Sequence, residues 1–181
     1  MVWAGICHHG CTQLTIVQGT LNVVKYRGDI LDPIVLPFLQ QRNFDHVFQH
    51  DHATCHVSRV CQDFLNQNRI RVLPWPALSP DLSPIENLGD DLGRCVRHRQ
   101  NPPETLQELR DALVHEWNNI PQACIQRLIG YMHHICEAVV VARGGHTRYS
   151  TPQTIILHDN FCLSMIWFDN DVDIALFVMP I

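Results

Sequence analysis

Two carboxylates in this chain stand where chemistry could use them. Asp51 closes a short apolar run, Val47 and Phe48, and is followed by Val57, Val60, Cys61, Phe64 and Leu65 at helical spacing, so it falls between a strand and a helix. Thirty-four residues lie between it and Glu86, which stands in the first turn of a helix opened by Ser83-Pro84-Ile85-Glu86. The positive end of a helix dipole favours an ionised carboxylate at that place, which is the form a divalent cation needs. Each residue also has a plain structural use. Ser83 and Glu86 have the spacing of a capping box, in which the Ser oxygen accepts from the Glu N–H and the Glu side chain reaches back to the Ser N–H. By spacing alone, capping is the stronger expectation for Glu86, and a turn residue after a strand is the ordinary role for Asp51.

The elements that must position these two groups follow from periodicity and punctuation. Val2 to Ile6 and Gln13 to Val17 read as a hairpin around the turn Cys7-His8-His9-Gly10-Cys11. That turn holds two Cys and two His, but adjacent His side chains and no second ligand cluster make a poor tetrahedral zinc cage, so it reads as a surface turn. From Asn22, a good N-cap, to Gln40 the positions Val23, Tyr26, Ile30, Ile34 and Phe38 keep near-helical spacing with Pro33 and Pro37 inside. An interior Pro costs about 3 kcal/mol, so a kinked or two-piece helix is expected. Then come the strand ending at Asp51, the helix through Phe64, a strand over Arg69 to Leu73, a Pro-rich turn, and the helix of Glu86 running to Arg94, Arg97 and Arg99. Asn101-Pro102-Pro103-Glu104 is another capping signal, with Leu106, Leu109, Leu113 and Trp117 as the buried stripe of the next helix. A last helix follows Asn119 and Pro121, with Leu128, Met132, Ile135 and Val139 inward and Gly144 as its C-cap. This alternation predicts an α/β domain with helices on both faces of a sheet.

Composition sets the outer limits. A chain of 181 residues fits one domain, and such a domain buries about 70% of the surface its unfolded chain exposes. Charged residues make up 17% and the formal net charge is −5, so the chain as a whole is no electrostatic trap for DNA. Any such binding must be local, and the Arg94, Arg97, Arg99 group is the concentrated candidate, although cations at a helix C-terminus also have a purely structural use. The eight cysteines are scattered, and neither a secretory signal nor a long apolar span is visible. A reduced intracellular setting and no membrane partner are expected.

The stretch between the two carboxylates, with Leu73-Pro74-Trp75-Pro76 and Ser79-Pro80-Asp81-Leu82-Ser83-Pro84-Ile85-Glu86, resembles the catalytic domain of mariner-type DDE transposases. The resemblance runs from about Val2 to Tyr149. It includes Val2-Trp3-Ala4-Gly5-Ile6, Asp32-Pro33-Ile34-Val35-Leu36-Pro37-Phe38, Asn118-Asn119-Ile120-Pro121 and Gly144-Gly145-His146-Thr147-Arg148-Tyr149. It implies a ribonuclease H-like mixed sheet with flanking helices over residues 1–149, and a tail, 150–181, outside the family domain. It also implies two-metal phosphodiester hydrolysis and strand transfer with Mg2+ or Mn2+, and with Asp51 and Glu86 as catalytic metal ligands. DNA is the implied partner, a homodimer the candidate assembly, and the nucleus the place of action.

Departures from the family shape the expectation. The family's first Asp lies on a central strand just before the Val-Trp strand, whereas here Met1 precedes Val2-Trp3, so the sequence reads as N-terminally truncated. His52-Ala53-Thr54-Cys55-His56 keeps only the Ala and the His of the family's usual run, and Asn87-Leu88-Gly89-Asp90 loses a large aromatic. The expected function is therefore a transposase remnant, related to DNA transposition and nucleic-acid binding but catalytically incomplete. The alternative is an active metal-dependent endonuclease that takes a third carboxylate from a partner or from the tail. Met165-Ile166-Trp167-Phe168-Asp169 is an apolar run ended by Asp, and residues 163–168 could pair between the Val2 and Asp51 strands, which would bring Asp169 to the metal.

Overall fold

Residues 2–16 form a nested hairpin. Strand β1 (Val2–Ala4) pairs antiparallel with β4 (Thr15–Ile16), and inside that pair β2 (Ile6–Cys7) pairs with β3 (Gly10–Cys11). The computed structural model describes residues 1–42, 46–76, 79 and 82–143, together with the backbone of residues 177–179. Side chains on a strand alternate between faces, and β1 exploits this. Val2 and Ala4 enter one core with Ile85, Leu88, Leu92, Leu113 and Trp117, while Trp3 enters another with Tyr26, Ile30, Phe48 and Phe64. A core thus lies on each side of β1, and helices cover both, as the alternation of elements predicts.

Asn22 caps the first helical segment by accepting from the Lys25 N–H at 3.0 Å. The segment runs as α1 (Val23–Lys25), a π-helical stretch over Tyr26–Val35, and α2 (Leu36–Gln40). The expected break at Pro33 does not occur in the form anticipated. The wider turn changes the bonding instead, so that the Leu36 N–H reaches Leu31 O, and a Pro, having no N–H, fits a ladder already shifted in register. Tyr26, Ile30, Leu31 and Val35 are buried on its inner side.

Helix α3 (Arg59–Gln67) starts at Ser58, whose hydroxyl accepts from the Cys61 N–H at 3.4 Å. Two residues of the expected stripe do not go inward: Val57 precedes the cap and is 39% exposed, and Val60 is 48% exposed, leaving Cys61, Phe64 and Leu65 to pack. The expected strand over Arg69 to Leu73 is reduced to a parallel bridge, Phe48 with Val72, held by Phe48 N–H to Arg71 O (2.7 Å) and Leu73 N–H to Phe48 O (2.8 Å). Arg69 adopts φ 57°, a left-handed turn out of α3 that leaves little length for a longer strand.

Three helices cover the other face: α4 (Pro84–Arg97), α5 (Leu106–Asn118) and α6 (Gln122–Val141). The cap of α5 is Thr105, not the preceding Asn-Pro-Pro-Glu run, and Thr105 with Glu108 completes a capping box. Leu106 therefore sits at the first helical position and is 65% exposed, and the inward stripe is Ala112, Leu113 and Trp117. The Trp117 indole donates to Thr12 O at 2.9 Å, tying α5 to the hairpin, and Gln122 and Gln126 at the start of α6 both donate to His8 O at 3.0 Å. In the Cys-His-His-Gly-Cys turn Cys7 is buried and Cys11 exposed. Ile125, Met132, Ile135, Cys136 and Val139 of α6 are buried, while Gly144 lies outside the described residues.

One further strand, β5 (Phe177–Met179), pairs antiparallel with β1 on the edge opposite β4, with Ala4 opposite Phe177 and Val2 opposite Met179. The sheet order is β4-β1-β5, so the place expected to be empty beside the Val2 strand is filled from the tail. Residues 163–168, which the alternative reading would place there, lie outside the described residues, as does Asp169, and the two edges of β1 are held by β4 and β5.

Candidate active site

Asp51 sits three residues beyond the Phe48 bridge, where the chain leaves the core, and its side chain is 57% exposed. Its Oδ1 accepts twice: from the Ala53 N–H at 2.9 Å, an Asx-type turn, and from His56 Nδ1–H at 2.5 Å. An ionised carboxylate can only accept, so the histidine nitrogen is the donor. Burial works to raise the Asp51 pKa, but the His56 and Ala53 hydrogen bonds prevail and hold it below the usual carboxylate value.

Glu86 reaches the same place from the first turn of α4. The capping box expected from Ser83 and Glu86 does not form: the Ser83 hydroxyl is buried without a hydrogen-bond partner and makes no cap, and only the backbone bond from Glu86 N–H to Ser83 O is present. The Glu86 side chain, half-buried, is thereby not committed to the cap. Asp51, Glu86, Cys55, His56, Asn22 and Thr54 are among the residues lining one open cleft of about 530 Å³. Burial, then repulsion from Asp51 and from Asp90 one turn along α4, push the Glu86 pKa up. The two carboxylates are thus electrostatically coupled, and a cation between them would relieve that repulsion. Two hard oxygen donors on one cleft suit Mg2+ or Mn2+. Among the described residues no group of three His, Cys, Asp or Glu side chains is placed to hold a metal ion.

Behind Asp51 lies a buried aromatic group that the sequence reading did not single out. Tyr26 Oη and His50 Nδ1 are 3.1 Å apart, the His50 and His56 rings stack at 5.3 Å with planes 16° apart, and Phe48 lies 4.9 Å from His50. Burial, reinforced by His56, pushes His50 down to about 3, so it is neutral at physiological pH. Burial likewise keeps the Tyr26 phenol protonated, well above its usual value. The strand period could have revealed His50, since it falls two residues after Phe48 and therefore on the same face.

The arginines are not brought to the cleft as a free basic patch. Arg94 pairs with Asp91 at 2.7 Å and Arg99 with Glu116 at 2.5 Å. Arg97, exposed in the last turn of α4, has no carboxylate partner among the described residues.

Comparison with known proteins bears on the family and the fold. The family model described as DDE superfamily endonuclease matches residues 1–110. The Tc3 transposase of Caenorhabditis elegans is 29% identical over 150 residues, covering 82% of this chain and 45% of the relative. The catalytic domain of Mos1 mariner transposase superposes with a TM-score of 0.63 at 20% identity, covering 76% of this chain and 74% of that one. The Mos1 mariner paired end complex with Mn gives 0.62 at 21% identity, with 76% and 44% covered. The chain spans about half the length of the curated relatives it matches, 45% of one and 54% of another. Among the described residues no helix is long and apolar enough to cross a membrane. With its matched residues reaching from β1 through Asp51 and Glu86 into α5, and its fold similar to that of the Mos1 catalytic domain, the chain belongs to the DDE superfamily endonucleases.

Proposed function

We propose that Asp51 and Glu86 are the metal-binding carboxylates of a transposase catalytic core acting on DNA, and that the described residues, supplying two such groups, do not by themselves form a complete two-metal centre. The observation that carries this reading is the opening of both carboxylates on one cleft, with Asp51 raising the proton affinity of Glu86. Mg2+ or Mn2+, when bound, would activate the attacking oxygen and stabilise the leaving oxygen of a phosphodiester. The chain's own part is to hold two ionised oxygens ready on rigid supports: Asp51 on its turn, and Glu86 at the positive end of α4. The family relation and the Mos1 paired end complex with Mn support DNA and a divalent cation as partners.

On this reading residues 1–149 are the family unit and 150–181 an added tail, the site of action is the nucleus, and a homodimer is the candidate assembly. DNA contact is weak and sequence-independent. Of the Arg94, Arg97 and Arg99 group, Arg97 is the member most open to a phosphate, since the other two are engaged by carboxylates. A second reading is an active endonuclease with Asp169 as third ligand; β5 brings part of the tail to the sheet, but it is Phe177–Met179 that takes the edge of β1 which that reading gave to residues 163–168. Plasmid nicking with Mn2+, for the wild type and Asp51→Asn, tests the choice. Little or no nicking is expected, and robust nicking abolished by Asp51→Asn would overturn incompleteness in favour of the second reading.

A further inference from the structure

The cleft contains a histidine that neither faces solvent nor uses both of its nitrogens. The His56 side chain is 2% exposed and packs 4.1 Å from the Tyr26 ring and 5.3 Å from that of His50. It is fixed by the turn before α3, in which His56 N–H donates to Ala53 O at 2.8 Å. Its Nε2 is buried with no hydrogen-bond partner. If this ring served packing alone, an apolar ring of similar size would fill the space without leaving a polar nitrogen unpaired, which carries a free-energy cost. What an apolar ring cannot do is donate from Nδ1 to Asp51 Oδ1 at 2.5 Å. The same oxygen takes the Ala53 N–H, so Oδ2 accepts neither bond and is the oxygen available to the cleft that Asp51 shares with Glu86.

We propose that His56 is a positioning residue for the metal site: its Nδ1–H pins one oxygen of Asp51, fixes the carboxylate plane, and leaves the other oxygen for a divalent cation. The proposal rests on the reading of Asp51 and Glu86 as metal ligands. His56 does not itself coordinate, because Nδ1 is committed to Asp51 and Nε2 is enclosed. Outer groups of this kind set the orientation of a ligand, and their loss typically weakens metal binding about 10- to 100-fold.

The test is Mn2+ binding to the full chain, followed by the electron paramagnetic resonance signal of free Mn2+, with thermal unfolding of each variant alongside. His56→Phe is expected to fold and to bind Mn2+ about 10- to 100-fold more weakly. His56→Asn, whose amide N–H can stand near the Nδ1 position, should bind closer to the wild type than to the Phe variant. Asp51→Asn separates the two levels of the reading. If it removes binding while His56→Phe leaves binding unchanged, the metal site stands and the positioning role is overturned; if Asp51→Asn binds like the wild type, the site reading fails and the role falls with it. Should His56→Phe not fold, nitrogen-15 spectra of the wild type decide. A proton on Nδ1 whose resonance moves as Mg2+ is added supports the role, and a proton on Nε2 overturns it.

Discussion

Acidification from pH 7.5 to pH 5 should weaken this fold by about 2 kcal/mol through His50 alone. The sign follows from where the proton binds. His50 is buried beside Tyr26 and stacked on His56, and its folded pKa of about 3 lies below the unfolded 6.5, so the unfolded chain takes up a proton across this window and the fold does not. Stability is therefore full above the unfolded value and is lost progressively as pH falls from 6.5 toward about 3. At pH 5 the magnitude is set by the unfolded value, because the folded one lies well below the working pH. Asp51 does not add to the loss here, since its lowered pKa places its titration below the window. Glu86 works in the opposite sense: its raised pKa means the fold gains a proton there on acidification, which offsets part of the loss. Urea unfolding at the two pH values, in Glu86→Gln to remove that offset, measures the His50 contribution directly. His50→Gln in the same background should lose most of the pH difference. Equal stability at both pH values, or an unchanged difference after His50→Gln, would refute the reasoning. A loss of this size is readable against the roughly 5–15 kcal/mol typical of a domain.

Trp117→Phe should cost about 1–3 kcal/mol in urea unfolding, because the buried Thr12 carbonyl loses the indole donor; a change under about 0.5 kcal/mol would count against that bond. Removing residues 177–181 should speed amide exchange in β1, whose second edge β5 covers, and unchanged exchange there would mean that the pairing does not persist in solution. A double-mutant cycle on Arg99 and Glu116 should give a coupling of no more than about 1 kcal/mol, since both ends are partly exposed, and a larger value would mean that the pair is more shielded than its exposure implies. DNA affinity, where measurable, should fall steeply with salt and fall further in Arg97→Glu, whereas an affinity indifferent to salt would exclude phosphate contact as its basis.

Local signals carried the layout of the chain where a single short-range interaction decides the matter. Asn22 and Ser58 start helices because their side chains meet a nearby N–H, and Trp117 is core because it ends an apolar stripe. The same logic went astray at Ser83, where the spacing of a capping box is present but the hydroxyl is buried and makes no cap, and a box forms at Thr105 and Glu108 instead. Helical periodicity marked Val57 and Val60 as inward because it does not know where the helix begins; once Ser58 is the cap, one precedes the helix and the other faces out. The shared cleft of Asp51 and Glu86 was readable from the family motif. Of the histidines behind it, His50 was within reach of the strand period, but the contact of His56 was not, because His56 stands five residues from Asp51, a spacing that matches neither strand nor helix and is bridged by the particular turn between them.

The β1–β5 pairing has a consequence for how such a chain is made. Trp3 and Val178 are opposite one another, so the first strand of the hairpin waits for nearly the whole of this sequence to be synthesised before its second edge can be covered. At about 5–20 residues per second that is on the order of ten to thirty seconds, long compared with the microseconds a hairpin needs to form. During that interval an apolar strand shows an open row of backbone donors and acceptors to any neighbouring chain, including another copy emerging from the same message. Contacts so distant in sequence also slow folding in their own right. Yield in the folded form should therefore depend on how long nascent chains are shielded, and a holdase chaperone supplied during synthesis should raise it more than one added after release.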